Sequence, residues 1–297
     1  MQAAAKQSSV LPGAYAAAAL TVLLWGANPA ITKLAVAGID PVLVGMLRPV
    51  VAAIFLLPCI VFVPIRMPVD TSGWGWLVLS SVAGFIGFTI LFSMGVQQTS
   101  AAHAALINAG IPVFSGLFGA ISERRIPGRA WLFGMGVALF GEVFLISFRD
   151  AGAGEATVSG DLLCLGASVS AGFGYVVGAR AAARIGSLSV TFWGICIAAV
   201  MVFPVMLFYG ADTDLTALPA VSVYAVLYLA IGASVIGYIA WYWALDRGGI
   251  VRIAPVQFAM PVVSLILAVV LLGETLTLPL IASTVIIVSG IVFARKG

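Results

Sequence analysis

Ten apolar segments, each near the length needed to cross a bilayer, limit what this chain can fold into. They cover about 14–37, 42–63, 74–95, 100–121, 130–148, 160–183, 188–209, 222–245, 250–272 and 277–294. A spanning helix needs roughly 20 apolar residues. In lipid the backbone has no water to bond, so such a segment closes its own hydrogen bonds as a helix. Composition agrees: 62% of residues are hydrophobic and 8% charged, against about 25% charged in a soluble chain. The expected fold is an all-α membrane protein of about ten transmembrane helices, with no room for a separate soluble domain.

Charge gives the orientation. Alternating the loops places eleven of the fourteen basic residues on one side: Lys6, Arg66, Arg124, Arg125, Arg129, Arg180, Arg184, Arg247, Arg252, Arg295 and Lys296. Only Lys33, Arg48 and Arg149 fall in or near the other side. Basic residues beside transmembrane ends stay cytoplasmic, so both termini are expected there. The net charge of +3 then reflects loop anchors and leaves no footprint for nucleic acid. Cys59, Cys164 and Cys196 sit in apolar runs without metal or redox spacing, and read as small buried hydrophobes. The run Ala16 to Ala19 opens an apolar stretch instead of closing one, so signal cleavage is not expected.

The longest polar stretch, Arg149 to Asp161, divides the chain into 1–150 with helices 1–5 and 151–297 with helices 6–10. In the fourth span of each half a proline precedes an acidic turn: Pro112 before Ser122-Glu123-Arg124-Arg125, and Pro261 before Gly273-Glu274-Thr275. The proline-to-acid spacings, 11 and 13, predict that the halves align only with a gap. Five is odd, so the second half enters the membrane in the opposite sense. Such inverted repeats are the common plan of secondary transporters, whose site lies near the midplane between the repeats. Gly166, Ser170, Gly174 and Gly178 form a stripe that admits a close helix backbone, and Ala101, Ala105 and Ala109 a shallower one.

Polar groups at membrane depth are costly and mark candidate sites. Trp25-Gly26-Ala27-Asn28-Pro29 predicts a bent helix lining a cavity, or a kink whose freed carbonyl a neighbouring helix satisfies. Lys33, a turn from its span's outer end, is placed to snorkel. Arg48 lies deeper and needs a partner: Asp40, backbone carbonyls or a substrate carboxylate. His103, the only histidine, lies five residues before Asn108. Without a nearby acid in sequence it reads more as a hydrogen bonder on a cavity wall than as a proton carrier. Glu142 is placed inside an apolar span, as a structural acid or a proton acceptor. Tyr238, Trp241, Tyr242 and Trp243 are too dense to serve only as interface anchors. With Trp25, Phe85, Phe88, Phe92, Phe173 and Tyr175 they can build an aromatic wall suited to planar or apolar ligands. Asp161 reads as an acid favouring a helix start. Catalytic motifs are absent, so neither an enzyme nor a cofactor or metal site is expected.

These residues resemble the drug/metabolite transporter superfamily, in its ten-helix branch with two EamA-like repeats. The opening of the first repeat stands as Leu24-Trp25-Gly26-Ala27-Asn28-Pro29, Lys33 and Leu47-Arg48. The ending of the second stands as Ala254-Pro255, Met260-Pro261-Val262 and Leu272-Gly273-Glu274-Thr275-Leu276. The first repeat departs from Leu-Gly-Glu, reading Ile121-Ser122-Glu123-Arg124. The resemblance implies export of small metabolites through a central cavity by alternating access. Within the branch the chain is most similar to bacterial aromatic amino acid exporters of the cytoplasmic membrane. The candidate substrate-binding residues are Trp25, Asn28, Phe85, Phe88, His103, Asn108, Tyr175, Tyr238, Trp241 and Gln257; Lys33, Arg48 and Glu142 are candidates for a coupling or charge role. The partners are then the lipid bilayer and a small-molecule substrate, with no obligate protein partner evident. Drug-like cations, sugar phosphates and nucleotide sugars are the competing substrate classes.

Overall fold

The computed structural model describes residues 2–61, 64–124, 128–148, 156–214 and 216–294. Arg125, Arg149, Asp150, Glu155, Arg295 and Lys296 lie outside them, as do the boundary at 150 and the side chains of Lys6 and Cys59. All regular structure among the described residues is helical. Helix α1 is Gln2–Gly26 continued by Asn28–Val36, and α2 is Pro41–Leu56. Helix α3 runs through Thr71–Ser80, a π-helical stretch Ser81–Gly87, and Phe88–Gln98. Helix α4 is Ala101–Ala109 and Ile111–Glu123, α5 is Arg129–Ser147, α6 is Val158–Ile185 and α7 is Ser187–Tyr209. Helix α8 runs through Ala220–Leu227, a second π stretch Tyr228–Ile236, and Gly237–Gly248. Helix α9 is Ile250–Ile253, a 3-10 turn Ala254–Ala259, and Met260–Leu272; α10 is Leu278–Ala294. Seven of the described helices are long and apolar enough to cross a membrane, and Pro41–Leu56, Met260–Leu272 and Leu278–Ala294 are shorter apolar ones.

The two halves superpose in sequence without the expected gap. Ala101 to Ile250 and Pro112 to Pro261 are each 149 residues apart, and that one offset carries the first π stretch onto the second. The unequal proline-to-acid spacing misleads because the acids are not equivalent. Ile111–Glu123 and Met260–Leu272 are both 13 residues long, and each ends on a left-handed residue, Arg124 (φ 51) or Gly273 (φ 68). Arginine therefore occupies the position that glycine fills in Leu-Gly-Glu, at a conformational cost glycine avoids. The counterpart of Glu274 is Arg125, not Glu123.

Packing follows the same symmetry. Helix α1 packs on α8 as α6 packs on α3, while α2 pairs with α7 and α5 with α10. The stripe on α6 does admit a backbone: a Cβ on Gly174 would lie 2.8 Å from Gly84 N of α3. Ser170 Oγ donates to Ala83 O at 2.8 Å beside it, which satisfies a carbonyl of the π stretch. A second stripe went unread in sequence. Gly134 and Gly141 of α5 meet α10, and a Cβ on Gly290 would lie 2.7 Å from Gly134 O.

The helix ends at Arg66, Arg124, Arg129, Arg180, Arg184, Arg247 and Arg252 share one end of the bundle, here the basic end. There Asp70 accepts from Gly73 N at 3.0 Å to cap α3 and from Arg184 at 2.5 Å to tie α3 to α6. Those bonds, the one from Arg184 foremost, hold the Asp70 carboxyl below the usual carboxylate range. At the far end, Glu274 accepts from Ala101 N at 2.7 Å and Ala102 N at 3.0 Å. The acid of Leu-Gly-Glu thus satisfies two orphan donors at the start of α4.

Candidate functional site

Three helices break at similar depth, and their breaks meet. Helix α1 parts at Ala27 before Pro29, α4 at Gly110 before Pro112, and α9 at the 3-10 turn before Pro261. Each proline lacks an N–H and cannot continue the ladder. Around these breaks and the two π stretches lies a cavity of about 720 Å³. The lining begins at Asn28, Asn108 and Thr89 and reaches helix ends at Ser187 and Ala294, at the basic end. Toward the opposite end the interior is filled by buried Phe92, Val96, Leu106 and Ile107.

Nine of the ten candidate binding residues line this one cavity: Trp25, Asn28, Phe85, Phe88, Asn108, Tyr175, Tyr238, Trp241 and Gln257. Asn108 and Gln257 are again 149 apart, so each repeat contributes one amide beside its broken helix. The aromatic wall is continuous. Trp25 meets Tyr238 edge-on with centroids 5.1 Å apart and Trp241 at 5.9 Å; Tyr238 in turn neighbours Phe85 at 6.2 Å and Tyr242 at 6.3 Å. Trp25 is fixed by Nε1 donating to Ala233 O of the second π stretch at 2.9 Å. Beside the break in α1, Tyr228 of α8 donates its hydroxyl to Leu24 O at 3.1 Å, and the kink also lines a cavity, so the two readings of Pro29 are not exclusive. Tyr175 is 52% exposed, but it lines the cavity.

The remaining candidates sit elsewhere. His103 is not on the cavity wall; it is 1% exposed, and its Nδ1 lies 3.1 Å from Asp161 Oδ2. The acid missing near it in sequence comes from the first turn of α6. Asp161 is 0% exposed and also accepts from Thr99 Oγ1 at 2.5 Å, so it does more than favour a helix start. Lys33 reaches the end of α3, where its Nζ donates to Val96 O, Gln97 O and Thr99 O at 2.7–3.3 Å, satisfying the last carbonyls there. Glu142 is buried against Gly110 at the break in α4, and its Oε1 has no hydrogen-bond partner. Phe92 is buried behind Phe88, Phe173 pairs with Phe118, and neither lines the cavity. Trp243 is partly exposed under Arg247, as expected of an interface anchor. Trp131, Ser234 and Ser264 line the cavity and carried no sequence signal, since single polar or aromatic residues in apolar runs look like packing.

Arg48 is 4% exposed and lines the cavity. Asp40 is not its partner, because that carboxylate caps α2 through Val42 N and Leu43 N and meets Tyr209.

The sequence model of the EamA-like transporter family matches residues 12–148 and 158–295. The chain belongs to the EamA-like transporter family. It is a membrane transporter and not an enzyme. This EamA-like transporter is 30% identical over 283 residues to a "probable amino-acid metabolite efflux pump" of Salmonella typhimurium, covering 92% of each chain. It is 28% identical to a protein of the same name from Escherichia coli K12, again over 92% of each. An uncharacterized transporter of Bacillus subtilis, YdeK, is 25% identical over 93% of this chain and 94% of its own. A crystal structure at TM-score 0.64 and 22% identity, covering 95% of this chain and 96% of the other, shows the same fold.

Proposed function

We propose that this EamA-like transporter exports amino acids, aromatic and other neutral ones, and related small metabolites across a bacterial cytoplasmic membrane by alternating access. The observation that carries the reading is the cavity: aromatic and amide-lined, about 720 Å³, at the meeting of three broken helices. A few polar groups in a largely apolar pocket of several hundred Å³ suit a small ligand. The names of the enterobacterial relatives support the substrate class. The repeats divide at 1–150 and 151–297. The positive-inside rule puts the basic end and both termini in the cytoplasm, so the cavity faces inward and loads from the cell.

The competing classes fit less well. A phosphate dianion calls for two inward cations; Arg48 lines the cavity, whereas Lys33 is engaged with carbonyls of α3. A drug cation calls for a carboxylate, and Glu142 faces Gly110 instead. Purified protein in liposomes is expected to move labelled amino acids, with aromatic ones competing, in a panel run with and without a pH gradient. Failure of every amino acid to move or compete would sink the reading. In the same assay Glu142→Gln is expected to keep the substrate ranking; loss of all transport would favour the cation class.

A further inference from the structure

Arg48 presents two unanswered donors beside Tyr238. The residue is 4% exposed, and neither Nε nor Nη1 of its guanidinium has a hydrogen-bond partner. Arginine stays protonated and offers five donors in a planar fork. A buried charge without a partner is costly, and such groups normally find one. Among the described residues the cavity lining contains no Asp, Glu, Lys or His, so Arg48 supplies its one formal charge. The nearby amides add to the same polarity. Asn28 Oδ1 accepts from Thr32 Oγ1 at 3.4 Å and Asn108 Oδ1 from Ser168 Oγ at 3.2 Å. Each oxygen already accepts one bond, and the amide N–H groups add donors for a ligand.

From this arrangement we infer that Arg48 is the anchor for a ligand carboxylate, and that the cavity prefers an aromatic monocarboxylate over the matching zwitterionic amino acid and excludes the matching amine. The ring lies against Trp25, Phe85 and Tyr238, where aromatic faces pack well. The carboxylate forms a forked, charge-assisted pair with Arg48. An ammonium on the ligand meets no carboxylate there and shares the cavity with a fixed cation. The inference rests on the reading of the cavity as the transport site and ranks acids above amino acids among its substrates.

Three probes with one ring system isolate the charge: indole-3-acetate, tryptophan and tryptamine, each titrated against purified full-length protein by calorimetry. The expected order of affinity is acid, then amino acid, then amine, with at least about tenfold between acid and amine. Arg48→Met is expected to weaken the acid at least about 30-fold and to leave the amine no weaker. Arg48→Lys keeps the charge but not the fork, and is expected to fall between. Should Arg48→Met fail to fold, the wild-type order and the lysine variant still decide. Equal or tighter binding of tryptamine, tighter binding of tryptophan than of the acid, or acid affinity unchanged in the Arg48 variants would each overturn the inference. Tryptophan moving in liposomes while the acid shows no preference would overturn it and leave the exporter reading standing. Acid held by Arg48 with nothing moving in liposomes would do the reverse.

Discussion

Asp161→Leu is expected to open the end of the bundle opposite the basic one. Asp161 is buried in the first turn of α6 and holds two groups from the α3–α4 corner, Thr99 Oγ1 at 2.5 Å and His103 Nδ1 at 3.1 Å. Leucine answers neither. Each buried polar group left unpaired costs about 1–3 kcal/mol, so the closed arrangement loses about 2–6 kcal/mol when both are stranded. A shift of about 2.7 kcal/mol, in the lower part of that range, already changes a two-state equilibrium by about 100-fold. The penalty falls on the closed state because the contact joins α6 of one repeat to α4 of the other. Cys164 is a native reporter: it is 0% exposed, one turn from Asp161, and packed beside Gly95. In a protein whose only thiol is Cys164, obtained by Cys59→Ser and Cys196→Ser, maleimide should label Asp161→Leu at least about tenfold faster than its parent. A lower melting temperature should accompany it. Unchanged labelling together with unchanged melting would show that the His103–Asp161 contact does not hold this end shut.

Gly134→Leu is expected to destroy the pairing of α5 with α10. Any Cβ at Gly134 overlaps the backbone of Ala294, and one at Gly290 comes within 2.9 Å of Ala138 Cα. Backbone atoms cannot rotate aside as side chains do. Overpacking typically costs about 1–3 kcal/mol and occasionally more, and the rigid neighbours put this site at or above the upper end. Gly136 is the control on the same helix, because a Cβ there meets nothing within 4 Å. Gly136→Leu should elute from size exclusion as the parent does, while Gly134→Leu should lose the folded peak or melt at lower temperature. Equal behaviour of the two variants would contradict the close approach of α5 and α10.

Much of this was legible in the sequence because lipid leaves few options. Apolar length and charge alternation set ten spans, and the stripe on α6 announced a close crossing. Trp25, Asn28, Asn108 and Gln257 stood out because polar or amphipathic groups beside prolines are rare at membrane depth. What escaped depends on distant partners. His103 and Asp161 lie 58 residues apart, so neither half of the contact marks itself. Lys33 gave no sign of its acceptors, because the carbonyls it reaches belong to another helix. The π stretches have no proline to signal them; their freed carbonyls are answered by Trp25 and Ser170 from across the bundle. Arg124 hid the repeat register, since a left-handed arginine is not read as the equivalent of glycine.

The central claim is that substrate passes through the cavity that reaches the basic end. Ala182 lines that cavity near the end of α6, so Ala182→Cys in a variant lacking Cys59, Cys164 and Cys196 places one thiol in the path. Counterflow of labelled phenylalanine in liposomes should proceed before modification and stop once a bulky maleimide has reacted fully, as checked by mass spectrometry. Full counterflow through completely modified protein would contradict the claim.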